Sequence, residues 1–218
     1  MADVTRSRRF PIESSVALDG DLSLPDAATA LVVFAHGSGS SRHSPRNRSV
    51  AEVLRTRRLG TLLIDLLTPD ESHDPRLRFD IDRLTGRLVG IVDQVHAELP
   101  HLPIGLFGAS TGAAGALAAA AHRPQKVSAV VSRGGRPDLA RASIARVIAP
   151  TLLIVGGEDH DVLQLNRDVF DDLPAGSSLE VVPGATHLFE EQGALDEVVR
   201  LTGDWFERQL SPTGPRSG

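Results

Sequence analysis

One serine lies in a setting that suits a nucleophile. Ser110 is the central residue of Gly108-Ala109-Ser110-Thr111-Gly112, which fits the pattern G-x-S-x-G. This motif follows a short apolar run, Ile104–Phe107, and precedes an alanine-rich helical pattern, Thr111–His122. A serine on such a strand-to-helix turn exposes its hydroxyl at the carboxyl end of a sheet, and the first amides of the helix favour negative charge beside it. We therefore predict that Ser110 attacks a substrate.

The same glycines allow two other interpretations. Turns of glycine and serine are common, so a structural turn without chemistry is the first of them. A dinucleotide-binding loop is the second, but the spacing of Gly108, Gly112 and Gly115 is not G-x-G-x-x-G, and the motif follows a middle strand rather than the first one. Suitable partners for the serine would favour the catalytic interpretation.

An attacking serine needs a base, and the base needs an acid that orients it. Two later apolar runs are followed by such residues. Asp159 comes after the run Thr151–Val155, and His187 comes after the run Leu179–Val182. Because the carboxyl ends of parallel strands meet at one edge of a sheet, we expect Ser110, Asp159 and His187 to converge there. We predict that His187 is the general base and that Asp159 orients it.

The neighbours of Asp159 leave alternatives. Asp161 is the second candidate for the orienting acid, although we expect it to cap the following helix at its N-terminus. Asp159, His160 and Asp161 also resemble a set of metal ligands, but side chains of adjacent residues diverge. We predict neither a metal nor a cofactor.

A loop rich in glycine and serine, His36–Arg42, follows the first run of the predicted parallel sheet. Backbone amides in such a loop can donate to an oxyanion without obstruction from side chains. We predict the Ser38 amide as one oxyanion donor and the Thr111 amide as the other, with Gly39 as the next choice and as a substrate contact. The alternative is a flexible linker into the next helix.

Several arginines follow predicted strands. Arg42 lies at the end of the glycine- and serine-rich loop, and Arg133 follows the run Val127–Val131 after Ser132. A guanidinium at a pocket binds a carboxylate or phosphate through two parallel hydrogen bonds. We predict Arg42 and Arg133 as substrate-binding residues, with ion pairs to nearby acids or solvated surface charges as the alternative.

Short apolar runs alternate with longer amphipathic ones along the chain. The runs predict strands at Leu31–Ala35, Thr61–Leu67, Ile104–Phe107, Val127–Val131, Thr151–Val155 and Leu179–Val182. The helical periodicity predicts helices at Ser49–Arg58, Ile81–Leu99, Thr111–His122, Val162–Leu173 and Ala194–Leu210. This alternation is typical of an α/β fold with a mostly parallel central sheet and helices on both faces.

The ends of the chain differ from its middle. Near the N-terminus, Asp19-Gly20 is a hairpin signal between Arg9–Ala17 and Asp21–Leu24, so we expect an antiparallel hairpin that extends one edge of the sheet. Residues 1–210 are predicted to form a single domain. The last residues, 211–218, are small, polar and rich in proline and glycine, which predicts a disordered tail.

The composition excludes several classes of function. The chain has 218 residues, a net charge of −5 and no cysteine, which excludes disulfide scaffolds, cysteine-ligated metals and a thiol nucleophile. Its basic residues give no patch for nucleic acid, and the longest run of alanine, leucine and glycine is far shorter than the ~20 residues that cross a bilayer. No secretory signal is apparent. We expect a cytoplasmic protein that binds a small ester, and neither nucleic acid nor a membrane.

With these motifs in place, the sequence resembles the α/β-hydrolase superfamily, and within it the small dienelactone hydrolase-like proteins. The resemblance covers residues 25 to 210 and rests on four motifs: HGSGSS at residue 36, GASTG at residue 108, GGEDHDV at residue 156 and GATH at residue 184. It implies a sheet without a large lid domain and a triad of Ser110, Asp159 and His187. Dienelactone hydrolases proper carry a cysteine nucleophile, so their lactone specificity is not implied here.

These observations predict a serine hydrolase that cleaves a small carboxylic ester, a thioester or a lactone. The same triad could also cleave amides or transfer an acyl group to peroxide. A further alternative, from outside the enzymes, is an α/β module that binds a ligand without catalysis.

Overall fold

The computed structural model describes residues 5–13 and 16–211. Its strands are β1 (Thr5–Glu13), β2 (Val16–Ser23), β3 (Ala30–Ala35), β4 (Leu59–Ile64), β5 (Ile104–Ala109), β6 (Val127–Arg133), β7 (Thr151–Gly156) and β8 (Ser178–Val182). Its α-helices are α1 (Pro45–Thr56), α2 (Ile81–Glu98), α3 (Thr111–His122), α4 (Arg141–Ile144), α5 (His160–Phe170) and α6 (Ala194–Leu210). Of the predicted tail, only Ser211 belongs to the described residues.

The described strands form one sheet in the order β1-β2-β4-β3-β5-β6-β7-β8. Strands β3 to β8 pair in parallel, whereas β2 pairs antiparallel with both β1 and β4. The predicted mostly parallel sheet with an antiparallel N-terminal pair is therefore confirmed. Because β3, β5 and β6 are neighbours, the loops that follow these three strands meet at one edge of the sheet.

Helices cover both faces of the sheet, and alternate residues of each strand point to opposite faces. In β3, Leu31 and Val33 pack with α2 and α3, whereas Val32 and Phe34 pack with α1 and α6. Two apolar cores thus hold the sheet between them. This is the burial expected of a strand that is apolar at nearly every position.

The predicted position of the N-terminal turn is wrong. Asp19 and Gly20 lie inside β2, where Gly20 pairs with Arg8 of β1. A Cβ on Gly20 would lie 2.8 Å from the ring of Phe10, so the glycine leaves room for an aromatic side chain from β1. Residues 14–15, which come between the two strands in the sequence, lie outside the described residues.

The connection between β6 and β7 is short. It contains a 3₁₀ segment, Pro137–Ala140, and the one-turn helix α4. The fold therefore lacks the large lid domain that a long insertion here would form, as predicted. None of the helices within residues 16–211 has the length and apolarity needed to cross a membrane.

Candidate active site

Ser110 lies at the sharp turn between β5 and α3. Its backbone has φ 51° and ψ −120°, which residues with a side chain rarely adopt. The Ser110 amide donates to the Arg133 carbonyl at 3.2 Å, and the Arg136 amide donates to the Ser110 carbonyl at 3.2 Å. Such a backbone costs about 1–3 kcal/mol and persists only where surrounding contacts hold it. Here the end of β6 and its loop provide those contacts.

The two glycines of the motif let α3 approach the sheet. A Cβ on Gly112 would lie 2.3 Å from the carbonyl oxygen of Ala35, at the end of β3. A Cβ on Gly108 would lie 2.4 Å from the Cα of Ala113. Both distances are far shorter than an ordinary van der Waals contact. The glycines therefore allow the first turn of α3 to press against the strand ends, which sets the direction of the turn at Ser110.

Asp159 and His187 contact each other across two loops. Asp159 follows β7, and His187 lies in the segment between β8 and α6. Nδ1 of His187 and Oδ2 of Asp159 lie 2.6 Å apart, a hydrogen-bond distance at which Nδ1–H donates to the carboxylate. The side chain of Asp159 is 14% exposed and that of His187 is 39% exposed. The carboxylate is thus shielded, and Nε2 is the ring nitrogen left for proton transfer.

The helix after Asp159 begins earlier than predicted, at His160 rather than Val162. Asp159 is therefore the N-cap residue of α5, but its side chain makes no capping hydrogen bond and contacts His187 instead. The predicted N-cap role of Asp161 is wrong. Asp161 lies exposed in the first turn of α5, where its negative charge suits the helix dipole.

His187 lies beside the segment that holds Ser110. The position of a Cβ on Gly134 is 3.4 Å from Cε1 and 3.5 Å from Nδ1 of His187. Gly134 directly follows Arg133, whose carbonyl accepts the hydrogen bond from the Ser110 amide. The structure therefore brings Ser110, Asp159 and His187 to the same edge of the sheet.

The loop after β3 touches the turn at Ser110. A Cβ on Gly37 would lie 3.1 Å from the Cβ of Ser110. The next residue, Ser38, donates its backbone amide to Oγ1 of Thr111 at 2.9 Å. The two residues predicted as oxyanion donors are thus in direct contact, and the Ser38 amide already has an acceptor in the protein.

A cavity of about 190 Å³ lies beside this loop. Residues 36–41, which include Gly39, line one part of it, and Asp65, Thr111 and Arg78 line others. Asp65 was missed as a loop residue because the predicted strand ran on to Leu67, whereas β4 ends at Ile64. The charged side chain of Asp65 inside the apolar run Thr61–Leu67 was the sequence signal that the strand ends before it.

The two predicted substrate-binding arginines differ in their surroundings. The backbone amide of Arg42 donates to Oδ1 of Asp65 at 2.6 Å, its guanidinium also contacts Asp65, and its Nε lies 3.6 Å from Oδ2 of Asp21. Arg133 is buried, and its Nε and Nη1 have no hydrogen-bond partner among the described residues. Arg42 is thus neutralised by carboxylates, whereas Arg133 forms no ion pair with any residue of the ranges 5–13 and 16–211.

Comparisons of sequence agree with this architecture. A family described as alpha/beta hydrolase fold matches residues 30–146. A Mycobacterium tuberculosis protein with the provisional name phosphoribosyl transferase, from strains H37Rv and CDC 1551, is 52% identical over 206 residues. The alignment covers 94% of this chain and 46% of the relative, so the chain spans about half the length of these curated relatives.

Comparisons of structure extend the likeness over nearly the whole chain. The crystal structure of a dienelactone hydrolase from Anabaena variabilis is 51% identical, with a TM-score of 0.90 and coverage of 94% of this chain and 99% of that chain. A Xanthomonas campestris protein described as an α/β serine hydrolase without a lid shares the fold, with a TM-score of 0.79, 22% identity and coverage of 97% of each chain. The chain therefore belongs to the α/β-hydrolase family, among the members that resemble dienelactone hydrolases.

Proposed function

We propose that this hydrolase-fold protein cleaves a small carboxylic ester, a thioester or a lactone through an acyl-enzyme on Ser110. The contact between His187 and Asp159, 2.6 Å long and at the edge of the sheet where Ser110 turns, is the observation that carries the proposal. This contact would fix the tautomer of the proposed base, which lies near the loop that holds Ser110. His187 is the proposed general base and Asp159 its orienting acid.

The proposed reaction has two halves. In the first half, Nε2 of His187 takes the proton of Ser110 Oγ, Oγ attacks the carbonyl carbon, and the same proton then passes to the leaving alcohol or thiol. In the second half, His187 takes a proton from water, the hydroxide attacks the acyl group, and Ser110 recovers its proton as the acid leaves. Asp159 stabilises the imidazolium that forms in both halves. No cofactor takes part.

The backbone amides of Ser38 and Thr111 are the proposed donors to the oxyanion. The Thr111 amide lies at the first turn of α3, where the helix dipole favours negative charge. The Ser38 amide donates to Oγ1 of Thr111 in this structure, so it would have to turn to the oxyanion when substrate is bound. The cavity lined by residues 36–41 offers room for part of the substrate next to these donors.

Two rival proposals use the same fold. The triad could cleave amides or transfer an acyl group to peroxide, and a ligand-binding module would keep the fold without turnover. The transferase activity in the name of the mycobacterial relatives is not part of our proposal, because the chain matches only 46% of their length and aligns along that part with hydrolase-fold structures.

Labelling with a fluorophosphonate tests the proposal, together with turnover of p-nitrophenyl acetate. We expect covalent labelling of the wild-type protein at Ser110, and a fall in kcat of about 10⁴–10⁶ in Ser110→Ala with the fold retained. Ser49→Ala, at an exposed serine on α1, is the matched control and should label and turn over normally. Ordinary turnover by a folded Ser110→Ala protein would refute the proposal, and a wild-type protein that does not label would favour the binding module.

A further inference from the structure

A buried arginine lies next to the proposed nucleophile. Arg133 is the last residue of β6, is 8% exposed and stands opposite Ala109 in the pairing of β5 with β6. Its carbonyl accepts the hydrogen bond from the Ser110 amide at 3.2 Å. Since Val131, two residues earlier, packs with α1 and α6, the Arg133 side chain leaves the sheet on that same face.

Two nitrogens of the Arg133 guanidinium are buried without a hydrogen-bond partner in the described part of the chain. Its Nε and Nη1 are buried without a hydrogen-bond acceptor among the described residues, and the ring of Phe189 lies 5.8 Å from its Cζ. Two acids of the neighbouring loops have other partners: Asp159 contacts His187 at 2.6 Å, and Asp138 contacts Arg136 at 2.7 Å. A buried charge without a partner is costly, so this arrangement favours an anion from outside the chain.

A second arginine adds to the positive charge. Burial and the neighbouring charge of Arg46 lower the pKa of Arg133 to about 10, so the guanidinium of Arg133 stays protonated at neutral pH. Nη1 of Arg46 contacts Oε1 of Glu190 at 3.0 Å, whereas its Nε is buried without a partner among the described residues. Glu190 is mostly exposed, at 65% of its side chain. Arg46 is thus paired with an exposed carboxylate, and its positive charge acts on Arg133.

We propose that Arg133, assisted by Arg46, binds a carboxylate or phosphate group of the substrate, so that the ester is an anionic one. The planar guanidinium suits either oxyanion, because two of its N–H groups can donate to two oxygens of the same group. The inference rests on the proposed function, since it places the anion beside an acyl group carried by Ser110. Arg42 has no part in this site, because Asp65 neutralises its guanidinium.

The first test compares p-nitrophenyl esters of equal acyl length that end in a methyl group, a carboxylate or a phosphate, over a series of lengths. We expect at least one anionic series to have the higher kcat/KM, and Arg133→Gln to reduce the anionic-to-neutral ratio by about 10–100-fold. Arg133→Lys should restore part of the ratio, and added salt should reduce it. Arg208→Gln, at an exposed arginine near the C-terminal end of α6, is the matched control and should keep the wild-type ratio.

Two outcomes of this test would overturn the inference. One is the absence of any preference for either anion at every length; the other is an equal loss on anionic and neutral esters in Arg133→Gln, which would assign the residue to positioning His187 instead. If Arg133→Gln does not fold, Arg46→Gln on the more exposed α1 provides the measurement, with an expected loss of about threefold to tenfold in the ratio. An unchanged ratio there would count against the inference.

The second test separates the anion site from the proposed chemistry. Calorimetry measures the binding of straight-chain dicarboxylates and of inorganic phosphate to Ser110→Ala and to the double variant with Arg133→Gln. We expect binding of at least one probe to weaken by about tenfold or more in the double variant. If the wild-type protein cleaves no ester but this difference is found, the hydrolase proposal fails and the anion site remains; equal affinity for every probe in both variants removes the anion site.

Discussion

The backbone amide of Ser38 donates to Oγ1 of Thr111, 2.9 Å away. This contact joins the loop after β3 to the first residue of α3, and Thr111 is only 2% exposed. A proposed oxyanion donor is therefore satisfied by a side chain before substrate arrives. In the proposed reaction, formation of the oxyanion would exchange one acceptor for another at the same amide.

Replacement of Thr111 by valine tests this arrangement. Valine has nearly the same shape but cannot accept a hydrogen bond, so Thr111→Val should lower the free energy of unfolding by about 1–2 kcal/mol. Both backbone amides remain, so kcat for an ester should change by about threefold at most, against the 10²–10³-fold loss typical of a missing oxyanion donor. Thr111→Ser, which keeps the acceptor, is the control. A hundredfold loss in Thr111→Val but not in Thr111→Ser would show that the hydroxyl itself takes part in the reaction.

Asp159 and Asp161, at the start of α5, should differ in their effect on kcat. Asp159→Asn removes the carboxylate that contacts Nδ1 of His187, and we expect kcat to fall by about 10⁴ because the tautomer is no longer fixed. Asp161→Asn changes an exposed charge in the first helical turn and should leave kcat close to that of the wild type. Steady-state kinetics on one ester compares them, and the opposite ranking would assign the orienting role to Asp161.

Two glycines of α3 provide a matched pair for packing. Gly112→Ala places a Cβ 2.3 Å from the Ala35 carbonyl oxygen, and we expect a loss of about 2–3 kcal/mol in unfolding free energy as α3 is displaced. Gly115→Ala places its Cβ 3.8 Å from Leu84 Cβ, an ordinary contact, and should stabilise the helix by about 1 kcal/mol. Chemical denaturation measures both, and equal effects would contradict the close approach of α3 to β3.

Low pH should reduce the folding stability of the protein through protonation of Glu71. Hydrogen bonds from the Arg87 guanidinium, at 2.6 and 2.7 Å, are the main cause that lowers the pKa of Glu71 from 4.5 to about 2. A carboxyl with a lowered folded-state pKa stabilises the protein above its unfolded pKa. This contribution should therefore be lost as the pH falls from about 4.5 towards 2.

The variant Glu71→Gln isolates this effect. It leaves Arg87, which is 2% exposed, without its carboxylate, and should cost about 3 kcal/mol at neutral pH. Below pH 4.5 its stability should fall less steeply than that of the wild type, as measured by urea unfolding at a series of pH values. Glu197→Gln, from an exposed pair with Arg200, serves as the control and should change little. Parallel pH curves for Glu71→Gln and the wild type would contradict the assignment.

The parallel sheet and the approach of Ser110, Asp159 and His187 could be predicted because both depend on local signals. Apolar runs mark the strands, and every parallel strand delivers the residue that follows it to the same edge. The acid at position 159 could also be predicted for this reason, since it lies three residues after the end of β7. These predictions required no knowledge of which strands are neighbours.

Other features depend on contacts between distant residues, and the sequence could not show them. Gly20 was taken for a turn residue because its need for space arises from the ring of Phe10 in another strand. The difference between Arg42 and Arg133 has the same origin: Asp65 reaches one guanidinium, whereas no acid of the described loops accepts a hydrogen bond from Nε or Nη1 of the other. Charge pairing of this kind is decided by the folded arrangement of the loops.

The segment after β6 also limits how this molecule can be remodelled. The Ser110 amide donates a hydrogen bond to the Arg133 carbonyl, and the Ser110 carbonyl accepts one from the Arg136 amide. Residues inserted between Arg133 and Arg136 would therefore release the serine from its conformation. Extra chain intended to cover the cleft and narrow its range of substrates would have to begin beyond Arg136. The 3₁₀ segment Pro137–Ala140, which starts just after Arg136 and exposes 38% of Leu139, offers a site for grafting such a cover.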